Sequence, residues 1–147
     1  MYARNVEVRS SRGVILGVRL LSIFFLFGFV MCAITVMMLT FPGSFLEPLW
    51  RLNPEAHRSF VKIGIWAVLL MSVVGIACLL SAAGLSARAD WGRRLAIVVL
   101  TVNLLGDTTA ALMRHDARTL IGLPIAGAMI FFLLSNPVRS LFRMAEL

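Results

Sequence analysis

Four long apolar runs constrain this chain more than any other feature. They cover residues 20–46, 63–87, 95–113 and 119–138, and Asp107 is the single charged residue within them. A bilayer core of roughly 30 Å needs about 20 helical residues at about 1.5 Å each, and every run is close to that length. The sequence therefore predicts one membrane domain over residues 1–147, an all-α bundle of four transmembrane helices with spans at 18–41, 62–85, 94–113 and 119–136.

The composition supports a membrane protein. Hydrophobic residues make up 60% of the chain and charged residues only 14%, whereas a soluble domain averages roughly 25% charged residues. The first apolar run is longer than the roughly 7–15 residues of a signal-peptide core, so we expect it to be retained. The net charge of +7 comes from basic residues scattered at the ends of the runs, which indicates contact with the lipid bilayer and argues against nucleic acid.

The basic residues also predict the topology. Nine of the fourteen Lys and Arg residues fall in the N-terminal segment, the second loop and the C-terminal segment, and five fall on the opposite side. Because cytoplasmic loops carry the excess of basic residues, we expect both termini to be cytoplasmic. The expected location is an inner (cytoplasmic) membrane.

The first loop, "FPGSFLEPLWRLNPEAHRSFVK", is predicted to be a partly helical interfacial segment. Its apolar residues alternate with charged ones around Trp50 and Arg51, which suits the headgroup region, and we expect it to cover the bundle. Asn53 could cap a helix that begins at Pro54 and carries His57. A surface for a ligand or partner is the alternative interpretation of this loop.

Small residues predict the close helix contacts. Gly, Ala and Ser recur through the second span, which is therefore expected to be the most buried, and Gly13 and Gly17 form a GxxxG pair at the start of the first span. Cys32 and Cys78 are expected at different depths, as small buried side chains that form no disulfide.

The segment "NLLGDTTAAL" places a carboxylate inside the third span. Asn103 and Asp107 are four residues apart and Arg114 follows seven residues later, so all three share a helix face that we expect to point inward. Counting from the hairpin "RHDAR" puts Asp107 level with residues 122–124. Pro124 has no N–H, so the carbonyl of Leu120 loses its helical partner. Asp107, Asn103, Leu120 and Pro124 form the predicted intramembrane polar site, with Arg114 as a possible charge partner.

An ionised aspartate at the centre of a span costs about 2.5–3.5 kcal/mol on insertion scales. One way to lower that cost is a proton on Asp107, with the Leu120 carbonyl and Asn103 as hydrogen-bond partners. The other is an ion pair with Arg114, which lies two helical turns or about 10.5 Å along the axis. That distance would strain a direct pair, so we favour the neutral carboxyl.

The stretches "LEPLWRLNP", "WGRRLAIVVLTVNLLGD", "RTLIGLP" and "NPVRSLF" together resemble an uncharacterised family of small four-helix bacterial integral membrane proteins. The resemblance runs from Leu46 onward through most of the chain. It implies the membrane architecture and no particular chemistry.

We find no known catalytic motif in the sequence. It has no phosphate-binding Gly-rich loop, nucleophile elbow or paired carboxylates, and His57 and His115 lack the spacing of metal ligands. We therefore predict no cofactor and no metal, and we disfavour an enzyme, with a lipid-modifying one still open. The leading hypothesis is a non-catalytic subunit or scaffold that forms a homo-oligomer or joins a larger membrane complex. The alternative is a small proton-coupled transporter that uses Asp107.

Overall fold

The computed structural model describes the backbone of residues 2–43, 45–52, 54–114 and 122–144, and the side chains of 12–43, 45–46, 48–52, 54–109 and 122–143. These residues form six α-helices and one 3₁₀ helix, with no strand among them. The α-helices are α1 (Tyr2–Thr40), α2 (Pro54–Ile63), α3 (Ile65–Ser86), α4 (Asp90–Arg114), α5 (Gly122–Leu134) and α6 (Asn136–Met144), and the 3₁₀ helix is Glu47–Leu52.

Two of these helices are long and apolar enough to span a membrane, over Arg12–Thr40 of α1 and Ile65–Ser86 of α3. α5 and α6 add a third candidate if the bent pair is counted as one span. α4 has the required length at 25 residues, but its described side chains include four charged groups, Asp90, Arg93, Arg94 and Asp107. The all-helical prediction is therefore confirmed, whereas the bundle of four transmembrane helices is supported only in part.

The packed core lies toward one end of the helices. Its buried residues come from the middle of α1, the second half of α3, the first half of α4, the end of α5, and α6. They are Val18, Leu21, Phe25, Cys78, Ala82, Leu85, Ala96, Leu100, Leu133, Val138 and Phe142. We call this the core end, and the end that carries α2 and the start of α5 the open end. The basic side chains Arg12, Arg19, Arg88, Arg94, Arg139 and Arg143 are exposed at the core end.

α1 and α3 pack through small residues, as the sequence predicts. A Cβ on Gly75 would lie 3.1 Å from Cβ of Cys32, and a Cβ on Gly28 would lie 3.5 Å from Sγ of Cys78. Each cysteine therefore packs against a glycine of the other helix, and both thiols are free. The Ser22 hydroxyl donates to the Ala82 carbonyl at 2.9 Å. In the most apolar 18-residue stretch of each helix, 28% of α3 is buried against 17% of α1, so α3 is the more buried of the two.

α3 and α4 approach closely at Gly84, one of the small residues predicted to let helices pack, and at Gly92, which the sequence prediction did not single out. A Cβ on Gly84 would lie only 2.5 Å from Cα of Gly92, so neither position has room for a side chain. Arg88 follows the end of α3 with a φ of 55°, and the Ala89 N–H donates to the Gly84 carbonyl at 2.9 Å. This bond closes α3 in the manner of a Schellman motif and turns the chain directly into α4.

The predicted Gly13–Gly17 pair does not bring two helix backbones together. Nothing lies within 4 Å of a Cβ placed on Gly13, whereas the Phe132 ring of α5 occupies the space beside Gly17. An aromatic side chain, which supplies its own contact area, replaces the expected backbone contact.

The second predicted span divides at Gly64. α2 begins at Pro54, as expected, but it ends at Ile63, and α3 starts at Ile65. Gly64 has φ 63° and ψ −133°, a conformation that a side chain strongly disfavours. The glycine therefore lets the amphipathic α2 take a different direction from the apolar α3.

Candidate functional site

Asp107 lies against the first residue of α5. Its carboxylate is half-buried, and Oδ2 is 3.8 Å from the position of a Cβ on Gly122. Within the described residues, no hydrogen bond or ion pair involves this carboxylate. Leu120 and the Arg114 side chain lie outside the described residues, so both predicted neutralising contacts stay predictions.

Asn103 is exposed, although the sequence analysis expected it to face inward. Residues Gly92, Ala96 and Leu100 form a buried stripe along α4, and Asn103 and Asp107 continue that stripe by helical spacing. Burial ends at Leu100 because the packed core does not extend further along α4. Asn103 thus lies on the extension of the core-facing stripe but beyond the residues that would cover it.

Pro124 does not face Asp107. It is exposed and lines an apolar groove of about 530 Å³ between α1 and α5, together with Gly17, Leu20, Leu21, Ile125, Ala128, Met129 and Phe132. Residues 122 and 124 are about 200° apart around a helix, so Gly122 can contact α4 while Pro124 turns toward α1. The groove is lined almost entirely by carbon and has the volume of a small-ligand site, which suits a hydrocarbon chain or an apolar side chain.

Arg93 forms the most developed polar contact, and the sequence analysis did not single it out. Its Nε and Nη2 bind Oδ1 of Asp90 at 2.8 and 2.7 Å, and its Nη1 donates to the Leu133 carbonyl at 3.3 Å. Pro137 follows Leu133 by four residues and has no N–H, so that carbonyl cannot receive its usual helical hydrogen bond. The guanidinium replaces the missing donor where α5 and α6 meet at 51°.

Asp90 links two arginines at the start of α4. Arg94 Nε donates to Oδ2 at 2.6 Å, while Arg93 occupies Oδ1. Burial alone would raise the pKa of Asp90, but the hydrogen bonds and positive charges of the two arginines outweigh it and hold the pKa below its usual value. The Arg93 side chain is only 9% exposed against 76% for Arg94, so Arg93 carries the inward, structural contact.

The first loop is helical, as predicted, but it does not cover the bundle. No residue of α2 is buried, and α2 packs mainly on the 3₁₀ helix and the start of α3. The Trp50 and His57 rings stack at 4.5 Å with an interplanar angle of 19°, and Phe60 lies 6.1 Å from Trp50. Arg51 is exposed. The sequence named these residues as interfacial but gave no sign that two of them stack.

In the described part of the chain, no three His, Cys, Asp or Glu side chains lie close enough together to bind a metal ion. His57 stacks on an indole ring instead, and His115 lies outside the described residues. Toward the open end, α4 carries the Asn103 amide and the Asp107 carboxylate, beside Thr108 and Thr109, whose hydroxyls donate to backbone carbonyls of the same helix. Together the amide and the carboxylate can accept a hydrogen bond, a proton or a cation from a group that approaches α4.

Comparison of the chain with protein-family models, with curated proteins and with solved structures finds no match in any of the three. The resemblance to small four-helix bacterial membrane proteins therefore stays an expectation from sequence, and the functional argument rests on the geometry above.

Proposed function

We propose that this protein is a non-catalytic membrane subunit or scaffold of the bacterial inner membrane that packs with a larger membrane complex or with further copies of itself. In this proposal it crosses the membrane four times, with both termini cytoplasmic. The observation that carries it is the position of the core at one end of the helices, which leaves apolar and polar helix faces uncovered at the other end.

The positions of the charged residues on α4 are compatible with a third crossing of the membrane. Arg93 and Arg94 lie in its first turns beside Asp90, at the core end where the headgroups would be. Asp107 is then the single charged group within the apolar part of the described helix. A 25-residue helix rises about 37 Å, enough to cross a core of about 30 Å with both arginines outside it.

The fourth crossing is a broken one. α5 has 13 residues, which rise only about 20 Å, so α5 alone is too short for a span. α6 continues it at 51°, with Val138 and Phe142 fully buried and Arg139 and Arg143 exposed. In this proposal α6 completes the crossing obliquely, with its apolar side on the core and its arginines toward the headgroups.

Uncovered helix faces along the bundle support the subunit role. The groove between α1 and α5 is open to the outside, and Trp66, Val73 and Phe131 are each at least 65% exposed. Lipid covers such faces in any membrane protein. A mostly apolar surface that also carries an exposed amide at Asn103 is better matched by another helix, because lipid tails offer that amide no hydrogen bond.

The test is the mass of the protein in its native membrane. Full-length tagged protein at its natural level would be extracted in mild detergent, and its mass would be measured by light scattering with the detergent contribution subtracted. We expect a particle well above the 16.2 kDa of one chain. A monomer that persists across detergents and after cross-linking in intact membranes would contradict the proposal.

A proton-coupled transporter is the second candidate, favoured by the half-buried Asp107 near the open end. A carboxylate that binds and releases protons in a span is a recurring component of such transporters. In reconstituted vesicles with an imposed pH gradient, wild-type protein should dissipate the gradient and Asp107→Asn should not. Equal proton flux in empty and loaded vesicles, for a panel of candidate substrates, would leave the subunit role as the only proposal.

A further inference from the structure

We infer that the open-end face of α4 formed by Asn103, Gly106 and Asp107 is the docking site for a transmembrane helix of another protein that carries a basic side chain at the depth of Asp107. We call it the α4 docking face. The inference rests on the proposed subunit role and names the chemistry of the partner.

The α4 docking face continues a surface built for helix packing. The preceding stripe residues Gly92, Ala96 and Leu100 are buried in the core, and Gly92 meets α3 almost backbone to backbone. Beyond Leu100 the same stripe is uncovered: Asn103 is exposed, and nothing lies within 4 Å of a Cβ on Gly106. The missing side chain at Gly106 would let a second helix approach closely beside the Asn103 amide.

Asp107 determines which kind of side chain the partner helix should carry. Its carboxylate is half-buried at the edge of this face, and no described residue binds it. The described basic side chains lie at the helix ends, and the buried one, Arg93, already binds Asp90 and the Leu133 carbonyl. A Lys or Arg on an approaching helix would supply an opposite charge that the described residues do not, and Asn103 one turn away could accept a second hydrogen bond from it.

A second copy of this chain fits the α4 docking face poorly. Copies inserted with the same topology are related by a two-fold axis along the membrane normal, so identical residues meet at the same depth. Asp107 would then face Asp107, so neither carboxyl would gain a basic partner. Charge complementarity therefore favours a different protein over self-association.

The test uses synthetic guest helices of Leu and Ala that span the bilayer and differ at one position, set to the depth of Asp107. That position is Lys in one guest and Leu in the other. Association with full-length labelled protein would be measured by energy transfer in phosphatidylcholine vesicles, which carry no net charge to attract the lysine. We expect the Lys guest to bind about tenfold more tightly than the Leu guest.

Matched variants test whether Asp107 causes the preference for the Lys guest. Asp107→Asn keeps the size of the side chain and should bring the two guests to within about twofold of each other, without loss of helicity. Thr109→Val changes another polar residue on the exposed side of α4, away from the α4 docking face, and should keep the full preference for Lys. Asn103→Val should weaken both guests but preserve the ranking.

Three results would overturn the inference: equal binding of the two guests to wild-type protein, a Lys preference that survives Asp107→Asn, or energy transfer between two differently labelled copies of the protein that falls when excess Lys guest is added, which would assign this face to a second copy. The native-membrane mass separates this failure from that of the subunit role. If wild type is part of a larger particle and the guests do not differ, the docking inference fails alone. If wild type is a monomer, the subunit proposal fails.

Discussion

Arg93 and Arg94 bind the same carboxylate, Asp90, in different surroundings. The Arg93 side chain is 9% exposed and also holds the Leu133 carbonyl, while that of Arg94 is 76% exposed. Buried contacts that satisfy a backbone carbonyl are costly to lose, and exposed ion pairs contribute little. The two arginines therefore offer a matched pair for measuring what the break between α5 and α6 requires.

Replacing Arg93 by Met should lower the free energy of unfolding by about 2–4 kcal/mol, because the Leu133 carbonyl is left without a donor and Asp90 loses its buried partner. Arg94→Met should cost less than about 1 kcal/mol. Thermal unfolding of both variants in the same detergent would measure the difference. Equal losses would show that the carbonyl contact contributes nothing to stability.

Asp90 should make stability sensitive to acid. Its folded-state pKa is lowered, so the stabilisation by its carboxylate is complete above the unfolded-state pKa of about 3.9 and is lost as the pH falls through the folded-state pKa. The unfolding temperature of wild type should therefore fall steeply below about pH 4. Asp90→Asn should be less stable at neutral pH and show a shallower fall in acid, and parallel acid limbs for the two proteins would refute this assignment.

The described structure has a side chain bound to a carbonyl that a proline leaves free at Pro137, where Arg93 binds Leu133. The same arrangement predicted at Pro124 stays a prediction, because Leu120 lies outside the described residues. Arg93 and Leu133 are forty residues apart, so only tertiary packing brings them together. Pattern and spacing identified Asp107 and Asn103 as unusual residues, but they could not say that the core stops before Asn103.

At the scale of helices, the hydrophobicity pattern predicted the apolar segments well but their ends less accurately. The expected second span began inside what the structure shows as α2, since the run of apolar residues continues across Gly64 and only the backbone conformation there separates two helices. The last apolar run likewise divides at Ser135 into α5 and α6. In both cases a local backbone break decides the boundary, and average hydropathy does not report it.

The contact between α3 and α4 predicts a strong effect of a single methyl group. Gly84→Ala would place Cβ 2.5 Å from Cα of Gly92, so the helices must separate, and we expect a loss of about 1–3 kcal/mol in stability. Gly13→Ala is the control, because nothing lies within 4 Å of its Cβ and alanine favours the helix by up to about 1 kcal/mol. Denaturation of both variants in detergent should give opposite signs, and a neutral Gly84→Ala would mean that the two helices adjust freely.

For the molecule as a whole, the proposed orientation predicts which sites meet the outer solution. In a background with Cys32→Ala and Cys78→Ala, Ser59→Cys should react with an impermeant thiol reagent in intact cells. Ser10→Cys should react only after lysis, because the core end, with most of the basic residues, is proposed to be cytoplasmic. Labelling at Ser10 but not at Ser59 in intact cells would invert the topology.

The position of α6 has a consequence for biosynthesis. α1 and α3 can pair as soon as both have left the translocation machinery, since their contacts at Gly28 and Gly75 involve no later helix. The core cannot close until α6 delivers Val138 and Phe142, both completely buried. In a nascent chain that stops after α5, the core sites that Val138 and Phe142 fill would be empty and exposed. The Leu133 carbonyl would then lie at the end of the last helix. A protease that removes unassembled membrane proteins could thus distinguish finished from unfinished molecules by the presence of this one short helix.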